Sequence, residues 1–183
     1  MATGQHCGAM ILYFISAILD AFDGMTARYF NQCSQFGAAL DMVTDRSATM
    51  MLLCALCRLY PAMMMPIFQF ILSLDLSSHY VHMLSSTKSG SASHKTVAEN
   101  SPILLRVYYT KRWVLFIVCA MNELFLASLY VWAVYPHSWV PKVALALSSP
   151  VFLFKQIVHV IQLVEAFQVL LHFDVADATK ANK

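Results

Sequence analysis

Between residues 20 and 45 the chain carries Asp20, Asp23, Gly24, Ala27 and Arg28, then Gly37, Asp41 and Asp45. Asp20 and Asp23 stand i, i+3, while Gly37, Asp41 and Asp45 stand i, i+4, i+8. On helices each set occupies one face, so both pairs of carboxylates can point into a single gap. Four carboxylates in an apolar setting repel one another unless cations neutralise them. An all-oxygen donor set suits Mg²⁺ or Mn²⁺. Two such ions can stabilise both the attacking and the leaving oxygen of a phosphoryl displacement. Gly24 and Gly37 leave room for a ligand to approach the backbone, and Arg28 offers phosphate a planar fork of donors.

The elements that must hold these residues belong in a bilayer. Of 183 residues, 59% are apolar and only 12% charged, against about 25% charged in a soluble domain. Mean hydropathy is +0.61. A net charge of +2 supplies no basic field for DNA or RNA. Segments of roughly 20 apolar residues can cross a bilayer, and Gly37–Tyr60, Ala62–Leu84, Trp113–Tyr135 and Val143–Gln168 qualify. Ala9–Leu19 is shorter and crosses only by continuing past Asp20. The prediction is an all-α integral membrane bundle of about five transmembrane helices. It forms one domain over residues 1–183, with a polar loop at 85–112 and a polar tail at 171–183. Tyr60-Pro61 and Tyr135-Pro136 mark helix ends, and Trp113, Trp132 and Trp139 fall where interfacial anchors sit. No signal peptide is read at the N-terminus. The odd set of five cysteines speaks against a disulfide framework. Cys54 and Cys57, a C-x-x-C inside an apolar run, read as core packing.

Loop charges set the orientation. Arg28, Arg46, Lys88, Lys95, Arg106, Lys111, Arg112, Lys180 and Lys183 fall on one side, and Arg58 and Lys142 on the other. That nine-to-two split places the first side in the cytosol. Polar residues also recur at one depth inside the apolar segments. Asp75, His79 and His82 are spaced i, i+4, i+7, and Lys155, His159 and Gln162 repeat the spacing. Asn122 and Glu123 interrupt another segment. At about 1.5 Å per residue, Asp45, Asp75, Glu123 and His159 all lie about 12–15 Å from one membrane face. Such groups either line a wet cavity open to the cytosol or pair as glue between helices.

The pattern D-x2-D-G-x2-A-R-x8-G-x3-D-x3-D is met at all eight fixed positions from Asp20 to Asp45. By chance this would happen on the order of 10⁻¹⁰. It resembles the CDP-alcohol phosphatidyltransferase family. Further along, Ser73-Leu74-Asp75, Ser78-His79, Ser93-His94-Lys95, Leu105-Arg106-Val107-Tyr108-Tyr109-Thr110 and Asn122-Glu123-Leu124-Phe125 resemble the inositol-using branch. The resemblance runs from about Ile11 to the tail.

It implies an enzyme of phospholipid biosynthesis in the endoplasmic reticulum, with its active site facing the cytosol. The phosphatidyl group of CDP-diacylglycerol passes to myo-inositol, giving phosphatidylinositol and CMP. Asp20, Asp23, Asp41 and Asp45 would bind two Mg²⁺ or Mn²⁺ ions, with Asp45 doubling as general base. Gly24, Arg28 and Ser34 would contact CDP-diacylglycerol. Asp75, His79, Asn122 and Arg106 would shape the inositol pocket. The resemblance also implies a homodimer. The family usually has six transmembrane helices, and this chain corresponds from the second. Met-Ala-Thr-Gly-Gln-His-Cys-Gly cannot supply the first, so a chain with this start is expected to be less active than one extended by that helix. Alternatives remain: another alcohol acceptor, a catalytically impaired form, or a divalent-cation transporter. A phosphorylated acceptor would call for more cavity cations than Arg106 and Lys155. A transporter leaves Gly24 and Arg28 unexplained.

Overall fold

Asn31 adopts the left-handed conformation, with φ 54°. Its neighbours complete a tight helix stop: Gln32 N–H donates to Ala27 O at 2.8 Å and Asn31 N–H to Arg28 O at 3.3 Å. This is a Schellman closure with Asn in the position usually held by Gly. Three residues later Ser34, in an extended conformation, caps the next helix by accepting from Gly37 N–H at 2.9 Å. A stop and a cap this close fold the two helices into a hairpin, which is the local cause of the acidic cluster.

The computed structural model describes residues 3–89 and 112–181. They form α1 (Thr3–Tyr29), α2 (Gln35–Leu59), α3 (Met65–Lys88), α4 (Arg112–Val134) and α5 (Val140–Ala181). A one-turn 3-10 helix, Ala62–Met64, joins α2 to α3. No strand occurs among the described residues. The all-α bundle expected from composition is what the chain forms.

Three details differ from the sequence expectation. First, α1 does not stop near Asp20 but runs unbroken from Thr3 to Tyr29, so Asp20 and Asp23 lie within it rather than at its end. Second, α5 starts at Val140 and continues to Ala181, 42 residues in all. The stretch from 171, expected as a polar tail, is helical to that point: Ala and Leu favour helix, and Gly is lacking between 143 and 181. Third, among the described residues three helices rather than five are both long and apolar enough to cross a membrane: Gln5–Tyr29, Trp113–Val134 and Val140–Thr179. At 25 and 24 residues, α2 and α3 have the length but carry Asp41, Asp45, Arg46, Asp75, His79 and His82. Neighbouring helices bury Arg46, Asp75 and His82, while Asp41 and Asp45 stay partly exposed. The loop residues Ser93, His94, Lys95 and Arg106 lie outside the described residues.

Packing separates an apolar end from a polar layer. Leu52, Leu53, Leu56, Phe68, Leu126, Tyr130 and Phe152 form one core cluster, with Phe125 stacked on Phe152 at 4.1 Å between centroids. Cys57 packs against this cluster while Cys54 faces outward. A smaller cluster centres on Val118 and Val158. Around them, leucines, isoleucines and phenylalanines stand exposed along every helix, as lipid-facing surfaces do. α5 packs along α3 and α4, and α2 along α3 and α4. α1 touches only the edge of the bundle, and none of its described side chains is buried.

Candidate active site

In the α1–α2 hairpin, equal distance from the turn means equal height. Asp23 and Asp41 each stand six residues from the facing helix ends at Tyr29 and Gln35, about 9 Å along the axes. Asp20 and Asp45 stand nine and ten residues away, about 14–15 Å. The acids therefore meet in two levels. Carboxylate oxygens of Asp20, Asp23 and Asp41 all lie within 4.8 Å of one another, and Asp45 comes within hydrogen-bonding reach of Asp20. The cluster is open: Asp23 is exposed and the Asp45 side chain is 41% exposed.

Arg28 ends the same face of α1. A Cβ on Gly24 would stand 3.4 Å from Arg28 Nη1, so the guanidinium folds back over the bare glycine toward the acids. A last-turn arginine also suits the negative end of the helix dipole. Ser34 accepts from Gly37 N–H, and a Cβ on Gly37 would come within 3.2 Å of the Ser34 oxygen. A side chain at Gly37 would therefore crowd the capping oxygen. With its oxygen in the cap, the Ser34 hydroxyl keeps its proton for donation to another group.

Beside this cluster lies a second, buried one. Arg46 Nη1 donates to Asp75 Oδ1 at 2.6 Å, and Arg46 Nη2 stands 3.6 Å from Asp45 Oδ2. The same Asp75 oxygen lies 3.7 Å from His79 Nδ1 and 3.5 Å from His159 Nε2. His79 Nδ1 donates to the Asp75 carbonyl at 2.8 Å, and the two imidazoles stand edge to face at 5.1 Å. By sequence Arg46 groups with the loop charges. At 8% exposure it is a mid-helix ion-pair partner, and the orientation argument keeps eight of its nine cations. Asn122 is 2% exposed. Arg106 lies outside the described residues.

By distance, Asp20/Asp23/Asp41 and Asp75/His79/His159 could each hold a metal ion. Charge separates them. In the second group the carboxylate is already bonded to Arg46, and Lys155 bears on both imidazoles, so an added dication would face two fixed cations. The first group is all-oxygen and strongly anionic, a fit for a hard dication.

Sequence reading missed the ties that hold α1. Tyr13 donates to Glu123, which also accepts from Thr49 Oγ1 at 3.1 Å. His6 Nδ1 pairs with Tyr130 at 2.7 Å. A signal existed: His6, Tyr13 and Asp20 recur every seven residues on one face, and Thr49 extends the Asp41–Asp45 face by one turn.

Comparison with known proteins decides the family. The family model described as CDP-alcohol phosphatidyltransferase matches residues 1–103. The chain belongs to the CDP-alcohol phosphatidyltransferase family. Similar members are CDP-diacylglycerol–inositol 3-phosphatidyltransferases. That of Candida albicans is 49% identical over 93% of this chain and 74% of its own length. That of Saccharomyces cerevisiae is 46% identical over 94% and 78%, and that of Homo sapiens 42% over 94% and 83%. No solved structure matches the chain. Among CDP-alcohol phosphatidyltransferases, then, its relatives use inositol, and the hairpin holding Asp20 to Asp45 falls wholly inside the matched region.

Proposed function

We propose that this protein transfers the phosphatidyl group of CDP-diacylglycerol to myo-inositol, yielding phosphatidylinositol and CMP. The observation that carries the reading is the convergence of Asp20, Asp23 and Asp41 within 4.8 Å, beside Asp45, in a chain 42–49% identical to enzymes of that name.

Asp20, Asp23, Asp41 and Asp45 would hold two Mg²⁺ or Mn²⁺ ions. When bound, such ions stabilise negative charge on the attacking and leaving oxygens. Asp45 takes the proton from an inositol hydroxyl. Its half-exposed side chain can reach a substrate. The hydroxyl oxygen then forms a bond to the phosphorus bearing diacylglycerol, and the bond from that phosphorus to the CMP oxygen breaks. Arg28 over Gly24 grips the pyrophosphate with its planar fork, and the Ser34 hydroxyl donates to the same substrate.

Asp75, His79, Asn122 and Arg106 are assigned to the acceptor side, Asp75 acting through its grip on Arg46. The positive loops favour a site on the cytosolic face, and we assign the enzyme to the endoplasmic reticulum as a homodimer. The test is incorporation of radiolabelled inositol into lipid by membranes containing the protein, with CDP-diacylglycerol supplied. Incorporation supports the reading. Its absence, with glycerol phosphate or choline used instead, replaces inositol with another acceptor.

A further inference from the structure

Deep between α4 and α5 lie polar side chains that are poorly partnered among the described residues. Gln162 is 1% exposed, and among the described residues neither its amide nitrogen nor its oxygen has a hydrogen-bond partner. Asn122 Oδ1 is in the same state at 2% exposure. So are both ring nitrogens of His159, also 2% exposed, although Nε2 stands 3.5 Å from Asp75 Oδ1. Lys155, 1% exposed, donates to a weak acceptor, the thiol of Cys119, at 3.8 Å. Lys155, His159 and Gln162 share one face of α5 at i, i+4, i+7.

Folding does not account for this set. A buried polar group without a partner is destabilising, and a lipid surround offers no replacement. Apolar side chains of equal volume would pack the same space more stably. Unpaired groups of this kind mark sites where stability gives way to function.

We propose that the α5 face Lys155–His159–Gln162, with Asn122 opposite on α4, is the wall that binds the acceptor as a neutral cyclic polyol. The inference rests on the function proposed above and names residues for it. The donor pattern selects the ligand class. Carboxamides and imidazole both donate and accept, matching hydroxyls that do the same. A phosphorylated acceptor would need paired cations, but Arg46 is committed to Asp75 and Asp45, and of the four wall residues only Lys155 is basic at full strength. The wall adjoins the Asp75–Arg46 pair, and so the candidate base.

Two isosteric variants, Gln162→Met and Asn122→Leu, test the proposal with two readouts. The KM for inositol should rise about tenfold, the worth of one neutral hydrogen bond, while the KM for CDP-diacylglycerol stays within twofold. Thermal stability of the purified variant in detergent should be equal to or above wild type. Added myo-inositol should raise the melting temperature of wild type and not of Gln162→Met. A melting temperature lowered by several degrees with an unchanged inositol KM would overturn the proposal, making these groups glue between helices or partners of bound water. A wild-type protein that incorporates no inositol would overturn the proposed function and this inference together. A wild type that incorporates it while both variants keep its KM would overturn this inference alone.

Discussion

Arg46 of α2 and Asp75 of α3 meet at 2.6 Å with side chains only 8% and 7% exposed. Arg46 also stands 3.6 Å from Asp45, so one buried guanidinium links the candidate base to the polar layer. Two charges taken out of water hold together only if each keeps the other.

Breaking this pair should be costly. Asp75→Leu or Arg46→Met is expected to destabilise the protein by about 3 kcal/mol, the usual cost of stranding one buried charge. Arg46→Met combined with Asp75→Leu should recover part of that loss, because no charge is then left alone. Thermal unfolding in detergent across the double-mutant cycle reads this as a coupling of about 1–3 kcal/mol. Additive losses would mean that the two charges act separately.

The hydrogen bond from Tyr13 to Glu123 ties the acid-bearing helix to α4. No described side chain of α1 is buried, so few other restraints fix the height of Asp20 and Asp23. Tyr13→Phe should lower kcat about tenfold and leave the KM for inositol within twofold. A displacement of about 1 Å at a reacting centre can cost about a hundredfold. Unchanged kcat in a steady-state assay would show that α1 is positioned by other contacts.

The hairpin was legible because its chemistry and its turn are both local. Spacing puts Asp20 and Asp23 on one face, and Asp41 and Asp45 on the next. The stop at Asn31 and the cap at Ser34 lie between them. Arg46 was misread for the opposite reason. A charge in an apolar run looks like a loop residue until its partner, 29 positions away, is known. The Tyr13–Glu123 and His6–Tyr130 bonds span 110 and 124 positions, and no local pattern announces a tertiary contact of that range. The length of α5 was missed because polar composition after residue 170 was read as an end. Asp174, Ala176, Asp177 and Ala178 are compatible with helix, and Asp174 pairs with Lys88 at 2.8 Å, which ties that extension to the end of α3.

Orientation can be read from Cys33, an exposed thiol in the turn between α1 and α2. The charge argument puts that turn in the cytosol. In sealed, right-side-out microsomes carrying Cys33 as the sole cysteine, a membrane-impermeant maleimide should label it from outside. Labelling only after the membrane is opened would invert the topology.

Metal dependence should trace to the hairpin. Chelation with EDTA should abolish transfer, and Mg²⁺ or Mn²⁺ should restore it. Asp23→Asn should weaken Mn²⁺ binding at least tenfold, followed without turnover by the electron paramagnetic resonance signal of the free ion. His79→Ala should leave that affinity unchanged, since Arg46 holds the carboxylate of the competing group. The reverse order would move the metal to Asp75, His79 and His159.

The most direct measurement is inositol incorporation by Asp45→Asn, at matched expression and with saturating Mn²⁺. Asparagine keeps the size of the side chain but removes both the base and an anionic ligand. The loss of transition-state stabilisation should be several kcal/mol, a rate at least a hundredfold below wild type, with the protein still in the membrane. A variant retaining more than about a tenth of the wild-type rate, a deficit under about 1.4 kcal/mol, would contradict the role of Asp45 and the reading of the hairpin as the catalytic centre.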